Sequence, residues 1–125
     1  MTDWSVLIVD DRQDNRESLA QFLEMHGIKA HVAASGNQVI RMLAYLNPTF
    51  ILTDLNMPDM SGWQILQAIR TNPQTAMLPV IAITGNADIR QTALKSGFDG
   101  FIEKPVSIDT IVSDLYQFVS HKLTA

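Results

Sequence analysis

The chain has 125 residues, 46% of them apolar, and a net charge of −4 from 9 basic and 13 acidic side chains. That length fits one domain around one core, the apolar share excludes a disordered chain, and the acidic balance argues against a nucleic-acid surface, which needs a basic patch. There is no cysteine, which excludes disulfides and thiolate metal sites, and no apolar run nears the ~18 residues of a membrane span.

The opening MTDWSVLIVDD has neither a basic segment nor a small-residue cleavage site. It is therefore not read as a signal peptide, and a cytoplasmic setting is expected. The first apolar run, SVLIV at 5–9, stops at two adjacent aspartates, Asp10 and Asp11. Alone, such a pair reads as a solvated turn. Leu19, Phe22, Leu23 and His26 follow at helical spacing, and Gly27 comes next as a stop with positive φ. The mixed run 28–34 is a second strand. SGNQ at 35–38 reads as a capping box; it opens a helix with Val39, Met42, Leu43 and Leu46 on one face, ended by Asn47–Pro48. TFILT at 49–53 runs into Asp54. SGWQ at 61–64 caps a third helix, which Asn72–Pro73 ends. PVIAIT at 79–84 closes on Thr84, Gly97 stops a fourth helical segment, and GFIE at 100–103 runs into Lys104. The last helix carries a stripe of Ile108, Ile111, Val112, Leu115 and Val119. Asp109, Ser113, Asp114, Gln117 and His121 lie opposite, and Tyr116 and Phe118 widen the apolar arc.

Short continuous apolar runs suit parallel strands covered on both faces. Five strand–helix units in alternation predict an α/β, doubly wound, five-stranded parallel sheet. In such sheets ligands bind beyond the carboxyl ends of the strands. Asp10, Asp54, Thr84 and Lys104 each end an apolar run, so they converge on one rim. With the first and third strands adjacent, Asp10, Asp11 and Asp54 repel one another unless a cation intervenes. Hard oxygen donors without His or Cys suit Mg²⁺, Mn²⁺ or Ca²⁺. Mg²⁺ fits best, since it takes one or two carboxylates and keeps several waters. Lys104 and Thr84 add an ammonium and a hydroxyl suited to a phosphoryl group, and a carboxylate can itself be the nucleophile. No G-x-x-x-x-G-K-[ST] loop is present, so no nucleotide site is indicated.

VDD (9–11), DLNMPDMSG (54–62), AITG (82–85) and FIEKP (101–105) together resemble the receiver domain of bacterial two-component response regulators, in order and over essentially the whole chain. The resemblance implies a flavodoxin-like (βα)5 fold with strand order 2-1-3-4-5. It implies one receiver domain over 1–125, with no room for an output domain after residue 122. Asp54 is then the phosphoryl acceptor. Asp10, Asp11, Asp54 and the backbone carbonyl of Asn56 hold Mg²⁺, with Mn²⁺ as a substitute. Lys104 contacts the phosphoryl group and precedes a cis peptide to Pro105. Thr84 and Phe101 form the switch; Phe101 stands where Tyr is common, and without a hydroxyl it can act only by packing. Asn56 and Asn86 flank the path of the water that removes the phosphoryl group. The implied partners are a histidine kinase or a histidine phosphotransfer protein, and a downstream protein at the face of the fourth helix, fifth strand and fifth helix. The chain is then a monomer or weak homodimer, and a signalling domain rather than an enzyme, with no nucleic-acid or membrane partner.

Two other readings stand beside this one. A pure interaction module without working phosphorylation is opposed by the intact Asp54, Thr84 and Lys104. A phosphatase of the haloacid dehalogenase type needs a D-x-D motif at a strand end, which neither Asp10-Asp11 nor DLN supplies. Asp59 reads as a solvated loop acid, and Met25, Met57, Met60 and Trp63 as packing residues. His26, His31 and His121, without ligand spacing, read as surface or helix-end residues.

Overall fold

In a computed structural model, which describes residues 3–57 and 59–124 without the side chains of 123 and 124, strands and helices alternate throughout. The elements are β1 (Ser5–Val9), α1 (Gln13–Met25), β2 (Lys29–Ala33), α2 (Gly36–Leu43), β3 (Phe50–Asp54), α3 (Gly62–Thr71), β4 (Val80–Thr84), a 3₁₀ turn (Ala87–Ile89), α4 (Arg90–Lys95), β5 (Gly100–Glu103) and α5 (Ile111–Thr124). All strand pairs are parallel, in the order β2-β1-β3-β4-β5. This is the doubly wound, flavodoxin-like arrangement expected from the sequence. Between β1 and β3 the strand order reverses direction, which opens a crevice at their carboxyl ends.

The continuous apolar runs follow from coverage on both faces. Side chains alternate along a strand, so Val6 and Ile8 of β1 enter one core layer with Phe50, Leu52, Ile81, Ile83 and Ile102. Leu7 and Val9 enter the other with Ile51, Val80, Ala82 and Phe101. The first layer is closed by Leu23 of α1 and Ile111, Leu115 and Val119 of α5; the second by Val39 of α2, Ile65, Leu66 and Ile69 of α3, and Ala93 of α4. Each Val, Leu and Ile side chain among these is worth about 1.5–3 kcal/mol relative to exposure.

Helix ends follow the local chemistry, with differences. Ser61 and Gln64 form the complete capping box. At α2 only half of one exists: Ser35 Oγ accepts from the Gln38 N–H, while the Gln38 side chain reaches past the cap to the Ala34 N–H. Gly27 and Gly97 take φ of 83° and 113°, as a C-terminal stop requires. Helix α2 ends at Leu43, before Asn47–Pro48, whereas Asn72 does cap α3. The last stripe starts later than its spacing suggests. Ile108 lies in the turn before α5 and is 66% exposed; the Ser107 carbonyl accepts from Thr110 and Ile111 N–H, and the helix begins only at Ile111. Met25 is also exposed, at the last residue of α1, while Met57, Met60 and Trp63 pack against the core. Tyr116 lies against Trp4, ring centroids 4.6 Å apart. Phe118 closes so tightly over Gly100 that a Cβ there would overlap its ring.

Candidate functional site

The carboxyl rim of the sheet gathers the residues that ended each apolar run. Asp10 follows β1 and donates its N–H to the Ala33 carbonyl. Asp54 and Thr84 are the last residues of β3 and β4. Lys104 follows β5, and its N–H donates to the Thr84 carbonyl at 2.8 Å. Asp10, Asp54 and Thr84 are buried, at 5%, 8% and 2% exposure. They are polar residues in positions that packing alone would fill with aliphatics.

Lys104 joins the two buried acids. Its Nζ lies 3.0 Å from Asp54 Oδ2 and 3.3 Å from Asp10 Oδ2. Burial alone would push this ammonium down, but the hydrogen bond and charge of Asp54, with those of Asp10, outweigh it and hold the Lys104 pKa above its ordinary value. The second oxygen of each acid accepts from the backbone two residues on: Arg12 N–H to Asp10 Oδ1 at 2.9 Å, and Asn56 N–H to Asp54 Oδ1 at 3.2 Å. Lys104–Pro105 is a cis peptide.

Asp11, exposed at the mouth, completes the cluster. One carboxylate oxygen from each of Asp10, Asp11 and Asp54 falls within a sphere of mutual distances under 4.8 Å. Three carboxylates and one ammonium leave two negative charges, which a divalent cation would balance. Each carboxylate oxygen has more than one lone pair, so those already accepting can still ligate. The donor set thus fits a small, hard divalent cation.

Thr84 Oγ1 accepts from Asn86 N–H at 3.4 Å, which leaves its own hydroxyl proton free to donate. Phe101 is already inside, 4% exposed, with the Arg90 guanidinium of α4 5.8 Å from its ring centroid. Beside Asp10 and Lys104 a cavity of about 320 Å³ opens between α1 and the segment after β5, lined by Leu19, Phe22, Pro105, Val106 and Ile108.

Two contacts at this rim are not foreshadowed in the sequence. Arg16, one turn into α1, donates from Nη1 to the Asp10 carbonyl at 3.0 Å; a basic residue one helical turn past an acidic pair is the only hint. Asp59 is the exposed loop acid expected, but it also accepts from Gly36 and Asn37 N–H at the start of α2, each at 3.2 Å. Pro58, in the same motif, lies outside the described residues.

A family model described as the response regulator receiver domain matches residues 6–116. The chain belongs to that family. Among relatives, it is 37% identical over 115 residues to the sensor histidine kinase RcsC of Escherichia coli, covering 90% of this chain but only 12% of that protein. It is 36% identical over 103 residues to an uncharacterised 14.6 kDa protein of Leptolyngbya boryana, covering 81% of this chain and 79% of that one. The chemotaxis response regulator CheY4 of Vibrio cholerae superposes with a TM-score of 0.86 at 26% identity, covering 94% of this chain and 99% of that one. Receiver domains are the phosphoaccepting modules of two-component signalling; they interact with histidine kinases or phosphotransfer proteins and generally bind Mg²⁺. Among the described residues, no helix of this receiver is long and apolar enough to cross a membrane.

Proposed function

We propose that this receiver is a phosphoacceptor switch over 1–125, with Asp54 as the acceptor, a histidine kinase or phosphotransfer protein as the donor and Mg²⁺ as the required ion. The observation that carries this reading is the Asp54 carboxylate, buried at the end of β3 yet held by Lys104 Nζ at 3.0 Å and by Asn56 N–H at 3.2 Å. Both contacts orient the carboxylate. An Asp54 oxygen attacks phosphorus, the phosphorus–nitrogen bond of the donor phosphohistidine breaks, and its electron pair stays on the imidazole. Lys104 can then follow the charge from the carboxylate onto the phosphoryl oxygens, and the Thr84 hydroxyl can donate to one of them. Asp11, Asp54 and the Asn56 carbonyl, with Asp10 beside them, would hold Mg²⁺, which supplies charge neutralisation for the incoming phosphoryl group. Phe101, without a hydroxyl, relays the change by packing against Arg90 and the α4–β5–α5 face, where a downstream protein binds.

The test is intact-mass spectrometry after incubation with acetyl phosphate and Mg²⁺. The parent gains one base-labile phosphoryl group, and Asp54→Asn gains none. Equal labelling of the two would place the acceptor elsewhere.

A further inference from the structure

Asp59 is exposed, in the loop between β3 and α3, yet it is held by another helix. Its Oδ1 accepts from Gly36 N–H and its Oδ2 from Asn37 N–H, both at 3.2 Å. These are the first two residues of α2, whose amide protons have no acceptor inside the helix. The helix end also favours an anion. The hydrogen bond from Asn37, with that from Gly36, holds the Asp59 carboxyl below its ordinary range against a smaller opposing effect of burial.

Other described residues of the loop are also constrained. Met60 lies so close to Gly36 that a Cβ at 36 would overlap it. At the far end Gly62 N–H donates to the Leu55 carbonyl at 3.0 Å, and a Cβ at 62 would collide with the Asp54 carbonyl and Leu55. Within the loop, Asn56 N–H donates to Asp54 Oδ1. Among the described residues, Asp59 makes the loop's one hydrogen-bonded link to an element other than its own flanking β3 and α3. The backbone at Asn56 therefore has a fixed point on each side: the acceptor carboxylate before it and the start of α2 after it.

We propose that Asp59 is a positioning residue for the metal site: by gripping the start of α2 it fixes the loop that presents the Asn56 backbone to the ion. This rests on the Mg²⁺ reading given above. Coupling of this kind is reciprocal. If the grip strengthens Mg²⁺ binding, Mg²⁺ strengthens the grip, and bound metal slows amide exchange at Gly36 and Asn37.

The experiment titrates Mg²⁺ by calorimetry into parent, Asp59→Ala, Asp59→Asn and Ser35→Ala, and follows amide exchange at positions 36 and 37 with and without Mg²⁺. Ser35→Ala removes the other cap of α2, the hydrogen bond from Gln38 N–H, without touching the loop. Asp59→Ala should bind Mg²⁺ about tenfold more weakly, the lower end of what loss of an outer partner does to a metal site. Asp59→Asn should fall between it and the parent, and Ser35→Ala should bind like the parent. Mg²⁺ should slow exchange at 36 and 37 in the parent and not in Asp59→Ala. Parent-like Mg²⁺ affinity in Asp59→Ala would overturn the tether alone, leaving Asp59 as a cap for α2. Equal weakening in Ser35→Ala would also overturn it, by showing that helix stability is what matters. A parent that binds no Mg²⁺ overturns the metal reading, and the tether with it.

Discussion

Arg70 Nη2 and Asp99 Oδ2 are 2.8 Å apart, linking the last turn of α3 to the residue before β5. The same carboxylate accepts from Val80 N–H at 2.9 Å and from Lys122 Nζ at 3.0 Å. The Arg70 guanidinium also donates to the carbonyls of Ala76, Leu78 and Gly97. One acid thus ties α3, β4 and α5 together at the amino ends of β4 and β5, the end of the sheet away from the acceptor rim.

Asp99→Ala should therefore cost about 3 kcal/mol, since it strands two cations that are mostly out of water. Asp99→Asn should cost less, because its amide oxygen can still accept. Urea unfolding of the three chains checks the order, and Mg²⁺ affinity should be the same in all of them. An Asp99→Ala chain as stable as the parent would show the network to be inert.

Asp11 is the exposed member of the acidic cluster, so its removal should leave the core intact and strike the ion. Asp11→Ala should weaken Mg²⁺ binding by more than the roughly 10–100-fold seen on losing an outer partner. A ligand that binds only the folded state raises stability with concentration. Added Mg²⁺ should accordingly raise the melting temperature of the parent and leave that of Asp11→Ala almost unmoved. Equal shifts would remove Asp11 from the ligand set.

Asn86 bears on the lifetime of the phosphoryl group. It is exposed two residues after Thr84; its N–H donates to Thr84 Oγ1, and its Oδ1 accepts from Asp88 N–H at 3.0 Å. An amide can orient a water but cannot take its proton as a carboxylate does. Asn86→Ala should slow loss of label by less than about tenfold, the worth of one hydrogen bond. Asn86→Tyr should slow it further by covering the approach. Identical decay in all three chains would remove position 86 from the hydrolysis.

The Asp59 contacts also set a pH dependence. Its folded pKa is lowered from 3.8, so its contribution is fully present above that value and is lost as the pH falls through the folded pKa. The gap in melting temperature between parent and Asp59→Asn should hold constant from about pH 7 to pH 5 and close as the pH drops below the ordinary aspartate value. A gap that widened on acidification would contradict the hydrogen bonds from Gly36 and Asn37.

What the sequence made legible was whatever depends on position along a strand. Asp10, Asp54, Thr84 and Lys104 each stand where an apolar run stops. A parallel sheet puts all such stops on one edge, so four residues spread over nearly a hundred positions were placed by pattern alone. The hidden parts depend on distance across the fold. Nothing near Asp59 announces that its carboxylate oxygens accept from the amides of Gly36 and Asn37, 23 and 22 residues earlier. Arg70 and Asp99, 29 residues apart, read singly as surface charges. Ile108 has the right spacing for the α5 stripe, but its turn precedes the helix and exposes it. Gln38 has the right identity for a capping box, but its side chain prefers the amide of Ala34.

Trp4 is wedged between Phe50 and Tyr116 just ahead of β1, at the amino end of the sheet. Trp63 rests edge-on against Phe98, one residue past Gly62 and so next to the acceptor loop. The receiver thus carries two built-in optical reporters in separate aromatic clusters. Ultraviolet emission that changes on adding an ion or a phosphoryl donor should come from Trp63, while Trp4 reports the packing of α5 on the sheet. A Trp4→Phe chain would keep an aromatic ring in the Phe50–Tyr116 stack and leave an emission signal from Trp63 alone, the indole next to the acceptor loop and on Phe98.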